Sequence, residues 1–151
     1  MNAPVPALPR FVQIEPVGEC NLACRMCPVS LREDGRPDRI ALMPLPRFRR
    51  LLDQFPALTE LHLQGIGEPL MHPRFFELVA LAHARGIQVS TNSNLTLMSA
   101  RRAAECVASG LARLHVSIDA ATPACYEAIR VGARFGRLMR GIERVLEACA
   151  R

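Results

Sequence analysis

The sequence predicts an α/β protein: a partial (β/α) barrel of about four βα units, with a parallel sheet, helices outside and a polar lumen. Three observations predict this fold. Apolar segments of strand length alternate with helix-like segments along the chain. The strands are polar at every second position, unlike those of a sheet buried on both faces. No linker interrupts the 151 residues, a length that suits one domain.

Four segments of strand length carry apolar residues, partly in alternation with polar ones. They span residues 11–17, 59–65, 87–92 and 113–120. Strands that alternate with helices are joined by right-handed crossovers and run parallel. We therefore expect a single parallel sheet.

Five helix-like segments lie between and after these strands. They span residues 44–55, 72–86, 99–110, 121–130 and 135–151. Ser99 and Thr122 are good N-cap residues, and Pro123 suits a first helical turn. Gly86 and Gly110 mark the ends of two of the helices.

The two faces of the predicted sheet differ in polarity, because side chains two positions apart share one face. The polar face carries Gln13, Glu15, His62, Gln64, Gln88, Ser90, Asn92, His115, Ser117 and Asp119. The apolar face carries Val12, Ile14, Leu61, Leu63, Ile87, Val89, Leu114, Val116 and Ile118. The apolar face needs helices against it, whereas the polar face needs water, a ligand or polar partners. This favours a partial barrel with a polar lumen over a doubly wound sheet.

The composition argues against several classes of protein. With 50% hydrophobic residues the chain is globular, and no apolar run is long enough to cross a membrane. The N-terminus lacks the basic and apolar regions of a secretory signal, so we expect a cytoplasmic protein. The net charge is +5, yet aromatic residues make up only 5%, which argues against a nucleic-acid partner.

Two further features have ordinary structural interpretations. The isolated cysteines Cys106, Cys125 and Cys149 are expected to be small buried apolar residues. Four arginines recur at helical spacing and predict a solvated helix face, with docking of an acidic redox partner as the weaker interpretation. They are Arg134, Arg137, Arg140 and Arg144.

Each predicted strand ends in an unusual motif. These motifs are "GECNLACRMCPVS" (18–30), "GIGEP" (65–69), "TNSN" (91–94) and "SIDA" (117–120). Each is weak evidence by itself, since glycine, serine and asparagine are common in turns. The carboxyl ends of parallel strands meet on one rim, however, so we expect the four motifs to surround one pocket.

The cysteines Cys20, Cys24 and Cys27 allow three interpretations. Unrelated buried thiols are the least expected, given three within eight residues. A zinc site is possible with His62 or His72 as fourth ligand, although structural zinc sites usually show paired CxxC units. An iron–sulfur cluster held by three thiolates would leave one iron open to a small molecule.

The ordered set of motifs resembles the radical S-adenosylmethionine (SAM) superfamily. The resemblance rests on C-x3-C-x2-C after a first strand, then GxGEP, a Thr-Asn segment and Ser-x-Asp, and it covers the chain from Phe11 onward. The stretches "GEPLMHPRF" and "YEAIRVGARFGRLMRGIERVL" are most similar to the branch whose members often carry a C-terminal auxiliary-cluster (SPASM-type) domain.

The resemblance implies a role for each matching residue. Cys20, Cys24 and Cys27 would ligate three irons of a [4Fe–4S] cluster, and the amino and carboxylate groups of SAM would chelate the fourth iron. Carbonyls and the acid of one turn would accept the methionine amino group; these residues are Gly65, Ile66, Gly67 and Glu68. Near the ribose or the methionine carboxylate would lie Asn92, Asn94, Ser117 and Asp119, with Arg130 reaching the carboxylate.

Two positions depart from the superfamily's usual pattern. Met26 stands where an aromatic residue near the adenine is common, and it would supply an apolar contact instead. "TNSN" stands where "TNG" is commoner. The resemblance implies no catalytic residue beyond the cluster ligands.

The implied activity is [4Fe–4S]-dependent reductive cleavage of SAM to a 5′-deoxyadenosyl radical, which abstracts hydrogen from a peptide or a small cofactor precursor. A low-potential electron donor, flavodoxin or ferredoxin, is the implied partner. Residues 1–10 are expected to be an N-terminal extension, and 11–151 a core without its last βα units, which a second polypeptide would complete. The alternative function is a non-catalytic metal- or cluster-binding module.

Overall fold

The computed structural model describes residues 7–31 and 40–151, and these form a parallel sheet covered by helices. The four strands are β1 (Phe11–Gln13), β2 (Glu60–His62), β3 (Gln88–Ser93) and β4 (Arg113–Val116). They lie in the order β1-β2-β3-β4 and all pair in parallel, as the sequence predicts.

In the part of the chain that the structure describes, five α-helices accompany the strands at the predicted places. They are α1 (Leu45–Asp53), α2 (Phe75–His83), α3 (Ala100–Ala108), α4 (Pro123–Ile129) and α5 (Phe135–Cys149). Within the described residues, two 3₁₀ turns, Pro28–Leu31 and Pro69–Met71, begin at the ends of the first two strand-end motifs. Ser99 and Thr122 cap α3 and α4, since their hydroxyls accept hydrogen bonds from backbone N–H groups of the first turn.

The first strand is shorter than the predicted 11–17. Pairing with β2 extends to the N–H of Ile14, which donates to the His62 carbonyl at 3.0 Å. Pro16 then has no N–H to continue the ladder, and Val17 forms an antiparallel bridge with Leu42. The chain thus leaves the sheet shortly before the cysteine motif. Of the predicted extension, residues 1–6 lie outside the described part of the chain.

The apolar face of the sheet is buried against the helices. Leu61, Leu63 and Val89 are fully buried and pack in one cluster with Phe48 of α1 and Leu78 of α2. Each such side chain contributes about 1.5–3 kcal/mol on burial. At the end of β4 the predicted pattern is wrong for one residue. Ile118 is 46% exposed because the strand stops at Val116.

The polar face is hydrogen-bonded within itself. His62 lies with Nδ1 2.9 Å from the Ser90 hydroxyl and with Nε2 2.9 Å from the side-chain oxygen of Gln64. These bonds run along and between neighbouring strands, and they satisfy polar groups that apolar packing would leave unpaired. Both ring nitrogens of His62 are therefore engaged in hydrogen bonds within the protein.

The isolated cysteines and the arginine face differ in part from expectation. Cys106 is buried, and burial raises its pKa to about 11. Cys125 and Cys149 are exposed, so their predicted burial is wrong; they lie in the first turn of α4 and at the last residue of α5. The arginine face is exposed at Arg134, Arg137 and Arg140, as expected, whereas Arg144 is only partly exposed and donates to the Met98 carbonyl at 2.8 Å.

Gly141 lets α5 approach the segment before α3. It is buried, and an alanine Cβ there would lie 2.8 Å from the Leu95 carbonyl oxygen. We expect Gly141→Ala to lower the free energy of unfolding by about 1–3 kcal/mol, the usual cost of overpacking. Urea denaturation measures this. The control is Gly136→Ala in the first turn of α5, where the nearest atom is the guanidinium of Arg140 at 3.4 Å. Equal midpoints for the two variants would contradict the close approach.

No helix in the described residues is long and apolar enough to cross a membrane.

Candidate functional site

The four strand-end motifs surround one cavity of about 250 Å³ at the carboxyl ends of the strands. Its lining residues are Cys20, Cys24, Met26, Cys27, Gln64, Ile66, Gly67, Glu68, Asn92, Ser93, Asn94, Ser117 and Arg130. Of the site residues expected from sequence, Gly65 and Asp119 do not line the cavity but lie beside it. Gln64 and Ser93 line it without having been expected. The parallel topology therefore brings the motifs together as the sequence indicates.

The cysteine loop is anchored to the segment that follows α4. The N–H of Ala23 donates to the Val131 carbonyl at 2.9 Å, and the N–H of Arg25 donates to the Ile129 carbonyl at 3.1 Å. Within the loop, the Cys27 N–H donates to the Cys24 carbonyl at 3.1 Å. A loop held by backbone bonds fixes where its three side chains begin.

The protein environment shifts the Cys20 and Cys24 thiols toward their protonated form by raising the pKa of each. Burial is the largest cause that raises the pKa of Cys20, and the Glu68 carboxylate adds to it. Burial also raises the pKa of Cys24, against the opposing effect of the Arg130 guanidinium. Metal binding at these thiols has to displace protons, because the thiolate is the form that ligates.

The two histidines considered as a fourth zinc ligand are already engaged. Both ring nitrogens of His62 are hydrogen-bonded, as described above. His72 has Nε2 3.0 Å from the Met43 carbonyl, and its Nδ1 accepts from the Arg74 N–H at 3.1 Å. In residues 7–31 and 40–151, no three His, Cys, Asp or Glu side chains are grouped so as to hold one metal ion.

The GIGE turn, residues 65–68, is held between the cysteine loop and β1. Glu15 accepts hydrogen bonds from the N–H groups of Ile66 at 2.7 Å and Gly67 at 3.1 Å. The Glu68 N–H donates to the Glu19 carbonyl at 2.8 Å. A Cβ on Gly67 would overlap the Val17 carbonyl oxygen, so glycine is needed there for a close approach of two backbones.

Glu68 connects this turn to the end of β3. It is 3% exposed, and its carboxylate accepts from the Leu70 N–H at 3.0 Å, the Ser93 hydroxyl at 2.7 Å and the Asn94 N–H at 2.8 Å. Burial raises its pKa, and these three donors oppose that effect. The carboxylate thus has an internal structural role that the sequence did not indicate, and contact with a ligand amino group stays a prediction.

Asn94 connects β3 to the cysteine loop. Its amide nitrogen donates to the side-chain oxygen of Asn21 at 3.1 Å and lies 3.9 Å from the Cys20 sulfur. Its side-chain oxygen accepts from the N–H and the hydroxyl of Thr96. Asn21 was not singled out from sequence, since its partner is 73 residues away.

Arg130 and Tyr126, from α4 and its C-terminal end, provide polar groups near Cys24. Arg130 lies with Nε 2.6 Å from Asp119 and with Nη1 4.0 Å from the Cys24 sulfur. The fully buried Tyr126 hydroxyl has no hydrogen-bond partner among the described residues. Burial raises the pKa of Tyr126, so the hydroxyl is a donor.

Buried donors normally have partners. Tyr126 therefore has an unused donor close to Arg130 and Cys24, although it does not line the cavity. The sequence did not single out Tyr126, because tyrosine within a helix is most often core.

Comparison with known proteins identifies the family. The Radical SAM superfamily profile matches residues 14–150. The tungsten-containing aldehyde ferredoxin oxidoreductase cofactor-modifying protein of Pyrococcus furiosus is 32% identical over 113 residues, which cover 73% of this chain and 31% of that protein. The GTP 3′,8-cyclase of Synechococcus elongatus is 32% identical over 143 residues, which cover 91% of this chain and 42% of the cyclase. The chain thus spans well under half the length of these relatives.

Solved structures share the fold. Streptococcus suis SuiB bound to S-adenosylmethionine has a TM-score of 0.76 at 20% identity, over 94% of this chain and 32% of that one. This likeness confirms the predicted partial (β/α) barrel. The closer similarity to the auxiliary-cluster branch stays a prediction. On the profile match over nearly its whole length, the chain belongs to the radical SAM superfamily.

Proposed function

We propose that this chain forms the cluster- and SAM-binding part of a radical SAM enzyme. Cys20, Cys24 and Cys27 hold a [4Fe–4S] cluster, the group that the superfamily uses together with SAM. The observation that carries the proposal is one cavity shared by the three thiols, the GIGE turn, the end of β3 and Ser117. When bound, the two groups supply one-electron chemistry that cleaves a carbon–sulfur bond of SAM and removes a hydrogen atom from a substrate.

The chain's own residues bind the cluster and SAM and orient them. The three thiols lose their protons on metal binding. Arg130 places positive charge near Cys24 and pairs with Asp119. Gly65, Ile66, Gly67 and Glu68 form the subsite for the methionine amino group. The subsite for the ribose and the methionine carboxylate is formed by Asn92, Asn94, Ser117, Asp119 and Arg130, with Met26 near the adenine.

The substrate and partners belong to the proposal as well. We assign the substrate to peptides or small cofactor precursors, which the names of the similar proteins support: one modifies a cofactor, one is a GTP cyclase, and SuiB has been solved bound to its precursor peptide. The electron donor is a low-potential protein of the flavodoxin or ferredoxin kind. The core, 11–151, is completed by further βα units that pair with the outer edge of β4. Among the described residues, no strand pairs with that edge.

Anaerobic reconstitution tests the proposal. The chain is loaded with iron and sulfide, given dithionite and SAM, and assayed by mass spectrometry for 5′-deoxyadenosine and methionine. We expect both products in equal amounts from the unaltered chain and from Cys125→Ala, which changes an exposed cysteine. A cluster-loaded chain that forms neither product would contradict the enzymatic proposal, and binding of zinc without a cluster would contradict it entirely.

A further inference from the structure

We propose that Glu15 is a positioning residue of the amino-group subsite. Its carboxylate holds the GIGE turn so that the carbonyl oxygens of Gly65 and Ile66 are directed away from it and are left for the ligand's ammonium group. The inference rests on the proposed function, because it concerns how the same turn receives SAM. Glu15 does not line the cavity and acts through the backbone of the turn.

The contact joins two motifs that lie 51 residues apart. One oxygen of Glu15, Oε1, accepts from two successive backbone N–H groups, those of Ile66 at 2.7 Å and Gly67 at 3.1 Å. Successive N–H groups that converge on one anion form a compact binding geometry for negative charge. Glu15 therefore fixes the orientation of two neighbouring peptide planes.

The direction of the carbonyl groups follows from peptide geometry. The described residues contain no cis peptide bond, and in a trans peptide the C=O and the N–H point in opposite directions. Because the N–H groups of Ile66 and Gly67 donate to Glu15, the carbonyl groups of Gly65 and Ile66 point away from Glu15. Within residues 7–31 and 40–151, no backbone N–H donates to either oxygen. Two carbonyl oxygens on one side of a turn suit an ammonium group, which has three donors.

Gly65 supports the same assignment. A Cβ at this position would overlap the carboxyl group of Glu15, although the φ of Gly65 is not in the left-handed region. A side chain at position 65 would thus displace the Glu15 carboxylate from the turn, whereas the backbone conformation does not itself call for glycine. The carboxylate and the glycine form a complementary pair at the start of the turn.

The test uses the full chain, reconstituted anaerobically, with Glu15→Ala, Glu15→Gln and the control Gln13→Ala. Gln13 is exposed on the same face of the first strand, two residues earlier. SAM affinity is measured by equilibrium dialysis with labelled SAM, and iron content is measured in the same samples. We expect Glu15→Ala to keep its iron but to bind SAM about tenfold more weakly, because without two hydrogen bonds of ordinary strength the turn spends less time in the binding orientation.

Glu15→Gln is expected to stay near the affinity of the unaltered chain, because an amide oxygen still accepts both bonds. Unchanged SAM affinity in Glu15→Ala would overturn the inference. A SAM affinity as low in Glu15→Gln as in Glu15→Ala would also overturn it, because the effect would then come from the charge of Glu15 and not from its hydrogen bonds. A parallel loss of iron would also overturn it, since that indicates a general structural defect. Failure of the unaltered, cluster-loaded chain to bind SAM would instead overturn the proposed function, and this inference with it.

A second readout does not depend on SAM. The amide NMR signals of Ile66 and Gly67 in the metal-free chain report their hydrogen bonds directly. We expect Glu15→Ala to speed amide hydrogen exchange at both positions and Glu15→Gln to leave it near that of the unaltered chain. Equal exchange in all three proteins would overturn the inference.

Discussion

Gly67→Ala is expected to disable the site more than any other single change in the GIGE turn. An alanine Cβ at position 67 would overlap the Val17 carbonyl and come within 2.8 Å of the Glu19 carbonyl. Both are backbone atoms, so no side chain can rotate to make room, and the turn has to move away from the cysteine loop. A displacement of about 1 Å at a reacting site can reduce the rate about 100-fold. We expect a loss of that order in SAM cleavage by the reconstituted chain.

Gly18→Ala is the matched control for this prediction. Gly18 lies in the same pair of segments, but the nearest atom to its Cβ would be a carboxylate oxygen of Glu15 at 3.8 Å, an ordinary contact. We expect Gly18→Ala to retain SAM cleavage and iron content. Equal rates in Gly67→Ala and Gly18→Ala would show that the turn and the cysteine loop do not depend on close contact.

Replacing any one of Cys20, Cys24 and Cys27 by alanine is expected to abolish stable cluster assembly. The three thiols are the cysteines that line the cavity, and with one removed only two thiolates remain to hold an iron–sulfur cluster. Colorimetric iron and sulfide analysis after anaerobic reconstitution measures the result. We expect the unaltered chain to bind about four irons and each variant to bind well under half of that.

The chain provides its own controls for the cysteine prediction. Cys125 and Cys149 are exposed outside the cavity, so their alanine variants should keep the full iron content. Cysteine-to-serine variants at the three loop positions retain side-chain size and separate loss of a ligand from loss of packing. Iron content unchanged in Cys24→Ala would contradict every assignment in which this loop holds a cluster.

Much of the architecture could be predicted from the sequence, because it depends on periodicity. Alternation with period two identifies the face of the sheet that the helices cover, and the buried Leu61, Leu63 and Val89 lie on it as expected. The common rim of the four motifs follows from parallel topology alone. The end of the first strand was less predictable, since Pro16 interrupts the ladder inside an apolar segment that otherwise reads as strand.

The contacts within the site could not be predicted in the same way. Glu68 was expected at a ligand, yet its carboxylate accepts hydrogen bonds from Ser93 and Asn94 of the neighbouring strand end. Glu15 appeared only as one of many polar-face residues, because its partners lie 51 and 52 residues away. Exposure of Cys125 likewise depends on which side of a short helix meets the core. Such assignments depend on tertiary distances that local patterns do not contain.

The central claim is that the cysteine loop and the three other strand-end motifs form one site, in which SAM binds directly to the cluster. Electron paramagnetic resonance of the reconstituted, dithionite-reduced chain, recorded with and without SAM, tests it most directly. We expect a cluster signal that changes when SAM is added, and little change at the same SAM concentration in Gly67→Ala. A cluster signal in the unaltered chain that SAM leaves unaltered would contradict the claim, because the cluster would then stand apart from the SAM-binding turns.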